Sequence, residues 1–342
     1  MKKKPRLSIC IPTFNRRKYI SETINSILIQ VADIDVNLIE ICISDNASTD
    51  GTDAFIQEIK SESSVNIVYS RNDVNVGADR NYLRSVELAS GDYCWFMGSD
   101  DIATPGSLHK FLQEIDNDHD IYICNRIDCD AEMNQIAKRY WLRNNLGPLV
   151  VNLSDPEQFQ RYARNAKSLG AFFSYLSSIV FKREKWISTT IDPVYIGSAY
   201  SHVYMLLSFI KIGCTLKYLP DHLVLSRGYN DSFLAKGQEG YVERVLLDIR
   251  GYLSLAKNLS SFNHGYFNAL LNVLHKERTP IFTAIDLRYR ANEATWDEAS
   301  KVLLQAGYSK YMLYIANVSK PILMAARGFV RIARHFNRKQ AS

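Results

Sequence analysis

Residues 93–101 read Tyr-Cys-Trp-Phe-Met-Gly-Ser-Asp-Asp, and so bring two adjacent carboxylates, Asp100 and Asp101, to the end of a short apolar run. An aromatic-rich stretch of this length reads as a buried strand. Buried strands exclude charge, so the aspartates must emerge where the strand leaves its sheet. In open α/β sheets that carboxyl edge is where ligands bind. Paired carboxylates there suit a hard divalent cation, which commonly shares its coordination with substrate phosphates. The same pair would also serve simply to turn the chain.

Three further polar segments sit where strands should end or helices begin. Pro12-Thr13-Phe14-Asn15-Arg16 follows the first apolar run, Ser44-Asp45-Asn46-Ala47-Ser48-Thr49-Asp50-Gly51 the second, and Asn75-Val76-Gly77-Ala78-Asp79-Arg80-Asn81 opens a helical pattern. Each alone is ordinary turn or helix-cap composition. In this order on consecutive βα units, all four would converge on one sheet edge.

The elements that must position them alternate in period. Leu7–Ile11, Leu38–Ile43, Val65–Tyr69 and Tyr93–Met97 read as strands. Ile20, Ile24 and Ile27, then Phe55, Ile56 and Ile59, then Tyr82, Val86 and Ala89 fall at helical spacing between them. This alternation predicts a doubly wound, mostly parallel α/β sheet. Leu169–Phe181, apolar but dotted with Ser and Gly, reads as strands lining a pocket, Tyr204–Ile212 as a helix and Thr215–Leu219 as a strand. From residue 236 the pattern is helical, with a Thr295-Trp-Asp-Glu298 capping box. We therefore expect a catalytic domain over 1–235 and a helical region over 236–342.

Six of the 41 basic residues lie between Lys320 and Lys339, with no acid among them; setting these aside from the net charge of +5 leaves a near-neutral body. That argues against a nucleic-acid partner. Arg327, Arg331, Arg334 and Arg338 form one helical stripe with apolar residues mostly opposite. Over 320–339 this is the pattern of a helix lying on an anionic membrane surface, the alternative being a terminal helix packed on its own protein with a solvated basic face. The six cysteines show no paired spacing, and four lie in strand-like runs, which predicts free buried thiols and a reducing, cytoplasmic setting. No run is long and apolar enough to span a bilayer.

Taken together, the four edge segments resemble the family 2 glycosyltransferases, strongly over residues 6–130 and loosely to about 230. The resemblance implies a GT-A fold and transfer of sugar from a nucleoside diphosphate sugar to a saccharide acceptor; with no membrane-spanning run and no Gln-x-x-Arg-Trp motif, single-sugar transfer is expected rather than processive synthesis. It implies that Pro12, Thr13 and Asn15 line the nucleoside pocket, that Asp45 accepts a hydrogen bond from base or ribose, and that Arg80 and Asn81 lie beside base and diphosphate. Asp100 and Asp101 would hold Mn²⁺ or Mg²⁺, Asp100 also facing the nucleotide sugar. Arg227 and Asn230 would act as donors from a later loop, Leu225–Phe233, that sits where family members often contact the diphosphate or the metal.

Two departures stand out. Gly98 occupies the place where the family often carries a further acid. Where inverting members carry a catalytic carboxylate, this chain reads Gly197-Ser198-Ala199-Tyr200-Ser201-His202-Val203. His202 is the titratable group there, either as base toward the acceptor hydroxyl or as a structural histidine, with Asp192 and Asp221 as alternative bases. The Leu169–Ser178, Gly197–His202 and Arg227–Asn230 segments are also similar to transferases that add a dideoxyhexose (abequose-like) branch to bacterial O-antigen repeats. The acceptor implied is polyprenyl-diphosphate-linked, at the inner face of the cytoplasmic membrane. Gly98 and the absent carboxylate leave open a membrane-associated binding or scaffold protein that keeps the fold without turnover.

Overall fold

The computed structural model describes residues 4–144, 146–228, 237–323 and 325. The chain divides into two compact units, Met1–Asn230 and Asp231–Ser342.

The first unit opens with β1 (Leu7–Thr13), α1 (Arg17–Leu28), β2 (Ile39–Asp45), α2 (Thr52–Glu62), β3 (Asn66–Arg71), α3 (Ala78–Glu87) and β4 (Tyr93–Phe96). Every residue of β1, β2 and β4 is buried, as continuous apolar runs covered on both faces require. β1 lies parallel to both β2 and β4, and β2 parallel to β3. Their carboxyl ends therefore share one edge.

The unit continues with β5 (Ile102–Ala103), α4 (Ser107–Glu114), β6 (Ile121–Cys129), β7 (Gln135–Arg139), β8 (Leu149–Asn152), α5 (Pro156–Asn165), β9 (Ile179–Lys182), α6 (Arg183–Ile187), α7 (Ser201–Ser208) and β10 (Thr215–Arg227). The sheet order is β3-β2-β1-β4-β9-β6-β10-β5, with β7 beside β6 and β8 beside β10. β9 runs antiparallel to β4 and β6 and so joins the parallel first half to the parallel β6–β10 pair. All six cysteines are free and buried.

The strand reading of Leu169–Phe181 needs correction. The chain makes two single-turn 3₁₀ segments, Leu169–Phe172 and Leu176–Ser178, before β9 begins at Ile179. Gly170 explains part of this, since a β-carbon there would lie 2.1 Å from Trp141 Cε3. Only glycine lets the backbone lie against the buried indole. Gly170→Ala is expected to cost about 3 kcal/mol by overpacking, read as a lower midpoint in thermal or urea unfolding.

The second unit contains α8 (Gly237–Ser260), α9 (His264–Glu277), α10 (Pro280–Arg290) and α11 (Glu293–Gln305), followed by a helix over 310–323. Ile249, Leu270, Leu274, Leu287 and Leu303 fill its core. Asp248 is buried there and paired by Arg244 and Arg278. The cap of α11 differs from the predicted box: Asn292 accepts from Thr295 N at 2.9 Å, one turn earlier. No helix among the described residues is long and apolar enough to cross a membrane. The Arg327–Arg338 stripe lies outside the described residues.

Candidate active site

The four edge segments meet. At the end of β1, Asn15 adopts a left-handed conformation (φ 52°). Its N–H donates to Ser48 Oγ at 2.8 Å, and its side-chain oxygen accepts from Thr49 N at 2.8 Å. Asn46 binds the third segment, donating to Asn75 Oδ1 at 2.7 Å and accepting from Val76 N at 2.8 Å. Asn81 is buried between two strand ends, donating to Thr13 O and accepting from Ser44 Oγ. Met97 N donates to Cys10 O at 3.0 Å, which ties the exit of β4 to β1.

Several residues expected to touch the nucleotide are buried within the loops of this edge. Asp45 is fully buried. Its carboxylate accepts from Ser48 N at 2.9 Å and from the Tyr69 hydroxyl at 2.8 Å. Pro12, Thr13 and Asn81 are buried as well, and Thr13 Oγ1 has no hydrogen-bond partner. Asn15 and Arg80 are exposed on this edge.

Asp100 and Asp101 lie together on the turn after β4. A β-carbon at Gly98 would meet Asp101 Oδ2 at 2.8 Å and Asp100 Oδ1 at 3.1 Å. The two carboxylates thus converge over the Gly98 α-carbon, and the residue read as one acid too few is the space they share. Asp101 Oδ2 accepts from the Tyr175 hydroxyl at 2.6 Å and from Ser177 Oγ at 2.5 Å. Ser177 Oγ in turn accepts from Gly98 N at 2.8 Å. Burial, then the Asp100 charge, pushes the Asp101 carboxyl up to about 7. Burial also raises Asp100, against the pull of Arg16, whose guanidinium lies 4.0 Å away, and of Arg227.

Two carboxylates forced together in a mostly buried turn are a place where a cation is favourable. Mg²⁺ and Mn²⁺ sites of this kind take one or two carboxylates and fill the remaining positions with water and substrate phosphates. Among the described residues no group of three metal-ligating side chains gathers. The donor set therefore fits a cation shared with a diphosphate better than a closed structural site.

Arg227, expected on the diphosphate, is otherwise engaged. Its side chain is 3% exposed and pairs with Glu22 at 2.7 Å. Nη1 donates to Ala131 O at 2.5 Å and Nε to Asp100 O at 3.1 Å, while its backbone N–H reaches Asp101 Oδ1 at 3.3 Å. It clamps the Asp100–Asp101 turn from β10. Asn230 lies outside the described residues.

His202, read as a base or as a structural histidine, lies in the core. It is 2% exposed, within the first turn of α7. Nε2 lies 3.0 Å from Phe173 O, and the ring meets Tyr82 and Phe96 edge-on. Burial lowers its pKa to about 4. A core imidazole of this kind does not face an acceptor hydroxyl arriving from solvent. Asp192 caps the short turn Pro193–Tyr195. Asp221 sits inside β10, 3.9 Å from Lys110, six residues before the end of the strand that reaches Asp101.

Three residues hold parts of this edge in ways that the sequence did not assign. Asp79 is buried on α3 and accepts from the backbone N–H groups of Gly197, Ala199 and Ser201 at 2.7, 2.9 and 3.2 Å, so α3 holds the segment leading into α7. Tyr175 and Ser177 orient Asp101 from seventy residues away. Their hydroxyls in an apolar stretch were the available signal.

The two shifted groups give opposite pH trends. Asp101 ordinarily titrates near 3.8 and here near 7, so the folded state binds the extra proton between those values. Its contribution to metal-free stability falls as pH rises through that window. His202 moves from 6.5 to about 4, so its contribution falls as pH drops from 6.5 toward 4. In chelator, Asp101→Asn should melt above the native protein at pH 8, with the gap closing toward pH 4. A pH-independent gap in calorimetry would refute this.

Known proteins agree with the geometry. The family model described as Glycosyl transferase family 2 matches residues 8–185. The chain is 40% identical to the abequosyltransferase RfbV of Salmonella typhimurium over 311 residues, 90% of this chain and 91% of that one. It is 25% identical to the GalNAc(5)-diNAcBac-PP-undecaprenol β-1,3-glucosyltransferase of Campylobacter jejuni, covering 75% of each chain. Among solved structures, residues 1–349 of Staphylococcus aureus TarS in complex with UDP-GlcNAc superpose with a TM-score of 0.61 at 15% identity, over 92% of this chain and 88% of that one. The Pyrobaculum calidifontis mannosyltransferase PcManGT, in complex with GDP-Man and Mn²⁺, gives 0.53 at 15% identity, over 93% and 87%. These two show the GT-A fold. With a carboxylate pair at the carboxyl edge of that fold, this chain belongs to glycosyltransferase family 2.

Proposed function

We propose that this glycosyltransferase moves a single sugar from a nucleoside diphosphate donor to a saccharide acceptor, with Mn²⁺ or Mg²⁺ held by Asp100 and Asp101. The observation that carries this reading is the convergence of the two carboxylates over Gly98, with Asp101 fixed by Tyr175 and Ser177. In the transfer, an acceptor hydroxyl oxygen bonds to the anomeric carbon. The bond from that carbon to the phosphate oxygen breaks, its electron pair staying on the diphosphate, and the hydroxyl proton leaves to a base or to solvent. Asp100 and Asp101 would hold a divalent cation, which would offset the charge that builds on the leaving group.

Within this reading, Asn15 borders the nucleoside, Arg80 supplies an exposed cation beside it, and the buried Thr13 and Asp45 hold the loops that shape its pocket. Arg227 keeps the aspartate turn in place. The 40% identity to an abequosyltransferase supports a dideoxyhexose donor and an O-antigen-type acceptor. The diphosphate-undecaprenol in the name of the second relative supports a polyprenyl-diphosphate-linked acceptor. Such an acceptor lies in the cytoplasmic leaflet, which the basic stripe at 327–338 suits.

The test is a panel of nucleoside diphosphate sugars screened for thermal stabilisation with Mn²⁺, followed by donor hydrolysis and transfer assays. A ligand of the native state raises its apparent stability. One donor should stand out and lose its effect in chelator. No stabilisation by any of them, with or without metal, would overturn the reading. Removing residues 320–342 should release the protein from anionic vesicles, and unchanged sedimentation would count against the membrane role.

A further inference from the structure

Arg126 lies on β6, opposite Arg139 of β7 and beside Val224 of β10. Its Nε donates to Asp128 Oδ1 at 2.8 Å, and the other oxygen of Asp128 accepts from Arg139 at 2.5 Å. The guanidinium carbon is 4.1 Å from the centre of the Tyr175 ring and 5.3 Å from that of Trp141. Tyr175 is the residue whose hydroxyl holds Asp101. The guanidinium therefore stands one ring away from the carboxylate pair, fixed at Nε and flanked by aromatic rings, with a quarter of its side chain (24%) exposed.

Arg126 is ion-paired with Asp128, and its charge also acts on Asp101, lowering that carboxyl against the larger effect of burial. Among the described residues no group bonds its two terminal nitrogens. A guanidinium fixed in this way keeps a planar fork of N–H donors, the arrangement that reads phosphate oxygens two at a time. Arg227 cannot offer the same, because all three of its guanidinium nitrogens are engaged. Arg126 is thus placed to meet an anion that sits on the Asp101 side of the turn.

We propose that Arg126 is the residue that binds the phosphate oxygens of the nucleoside diphosphate, in the place the sequence reading gave to Arg227. The proposal rests on the donor class inferred above. It adds a contact that does not pass through the metal, so part of the affinity for the diphosphate should survive chelation.

The experiment measures calorimetric affinity for UDP, GDP, CDP and dTDP, and for the matching nucleosides, with Mn²⁺ and again in EDTA. The native protein is compared with Arg126→Gln and Arg126→Lys. For the tightest diphosphate, Arg126→Gln should weaken binding about 10- to 100-fold in both conditions, while the nucleoside changes less than about twofold. Arg126→Lys keeps the charge without the fork and should lose roughly 3- to 10-fold. It serves as the test if the glutamine variant does not fold. If the native chain binds no nucleoside diphosphate, the proposed function falls and this assignment with it. If the native chain binds one and both folded variants bind it equally well, the assignment alone is overturned.

Discussion

Asp101→Asn is expected to lower kcat/KM for sugar transfer by about 10³-fold or more, which corresponds to about 4 kcal/mol of transition-state stabilisation. The variant should nevertheless fold, and in chelator at pH 8 it should melt above the native protein. The two effects share one cause. Burial beside Asp100 makes the Asp101 carboxylate unfavourable in the metal-free protein, and the same arrangement makes a cation favourable when one is present. Its support residues should show the same logic at smaller scale. Tyr175→Phe and Ser177→Ala each remove one charge-assisted hydrogen bond to Asp101, worth about 1.5–3 kcal/mol, and should weaken Mn²⁺ dependence more than nucleoside binding. Activity of Asp101→Asn within tenfold of native would remove the centre of the proposed mechanism.

Gly98→Asp is expected to lose activity by about 10²-fold, although it restores an acid common in the family. Its β-carbon would fall 2.8 Å from Asp101 Oδ2 and 3.3 Å from Ser177 Oγ. Asp101 could yield only by breaking its bonds to Tyr175 and Ser177. Misplacement of a metal ligand by about an ångström costs on this order. Gly98→Ala separates the two contributions, since it adds the β-carbon without the charge. It should account for most of the loss, seen as a raised activation constant for Mn²⁺ together with lower kcat. Equal or higher activity in Gly98→Asp would mean that the site has room for a third carboxylate, contrary to the geometry.

The two residues differ in how visible they were. Asp101 announced itself: a charge cannot stay in a buried strand, so an Asp-Asp pair after Tyr-Cys-Trp-Phe marks a sheet edge from sequence alone. The role of Gly98 did not, because an absent side chain has meaning only once its neighbours are placed. The same contrast runs through the rest of the site. Arg227 carries the composition of a phosphate ligand, yet its bonds to Glu22, Ala131 and Asp100 join parts of the chain up to two hundred residues apart. His202 has the right chemistry near the expected position, but the packing of Phe96, Tyr82 and Phe173 around it removes it from solvent. Leu169–Phe181 shows a limit of periodicity: an apolar stretch broken by Ser and Gly fits a strand or a tight turn, and the Trp141 indole against Gly170 settles which.

The sequence by itself determined the alternation of strands and helices, the shared sheet edge and the place of the carboxylate pair, because these depend on local period and on the exclusion of charge from buried strands; the family came from the resemblance carried by the edge motifs. The tertiary structure alone decided which polar groups stay exposed on this edge and which are taken up by one another. Asp45, Asn81, Arg227 and His202 belong to the frame, and Tyr175, Ser177 and Asp79 hold its working parts. A hydrogen bond or a buried contact is satisfied by whichever partner folding brings within reach, and neither composition nor spacing names that partner.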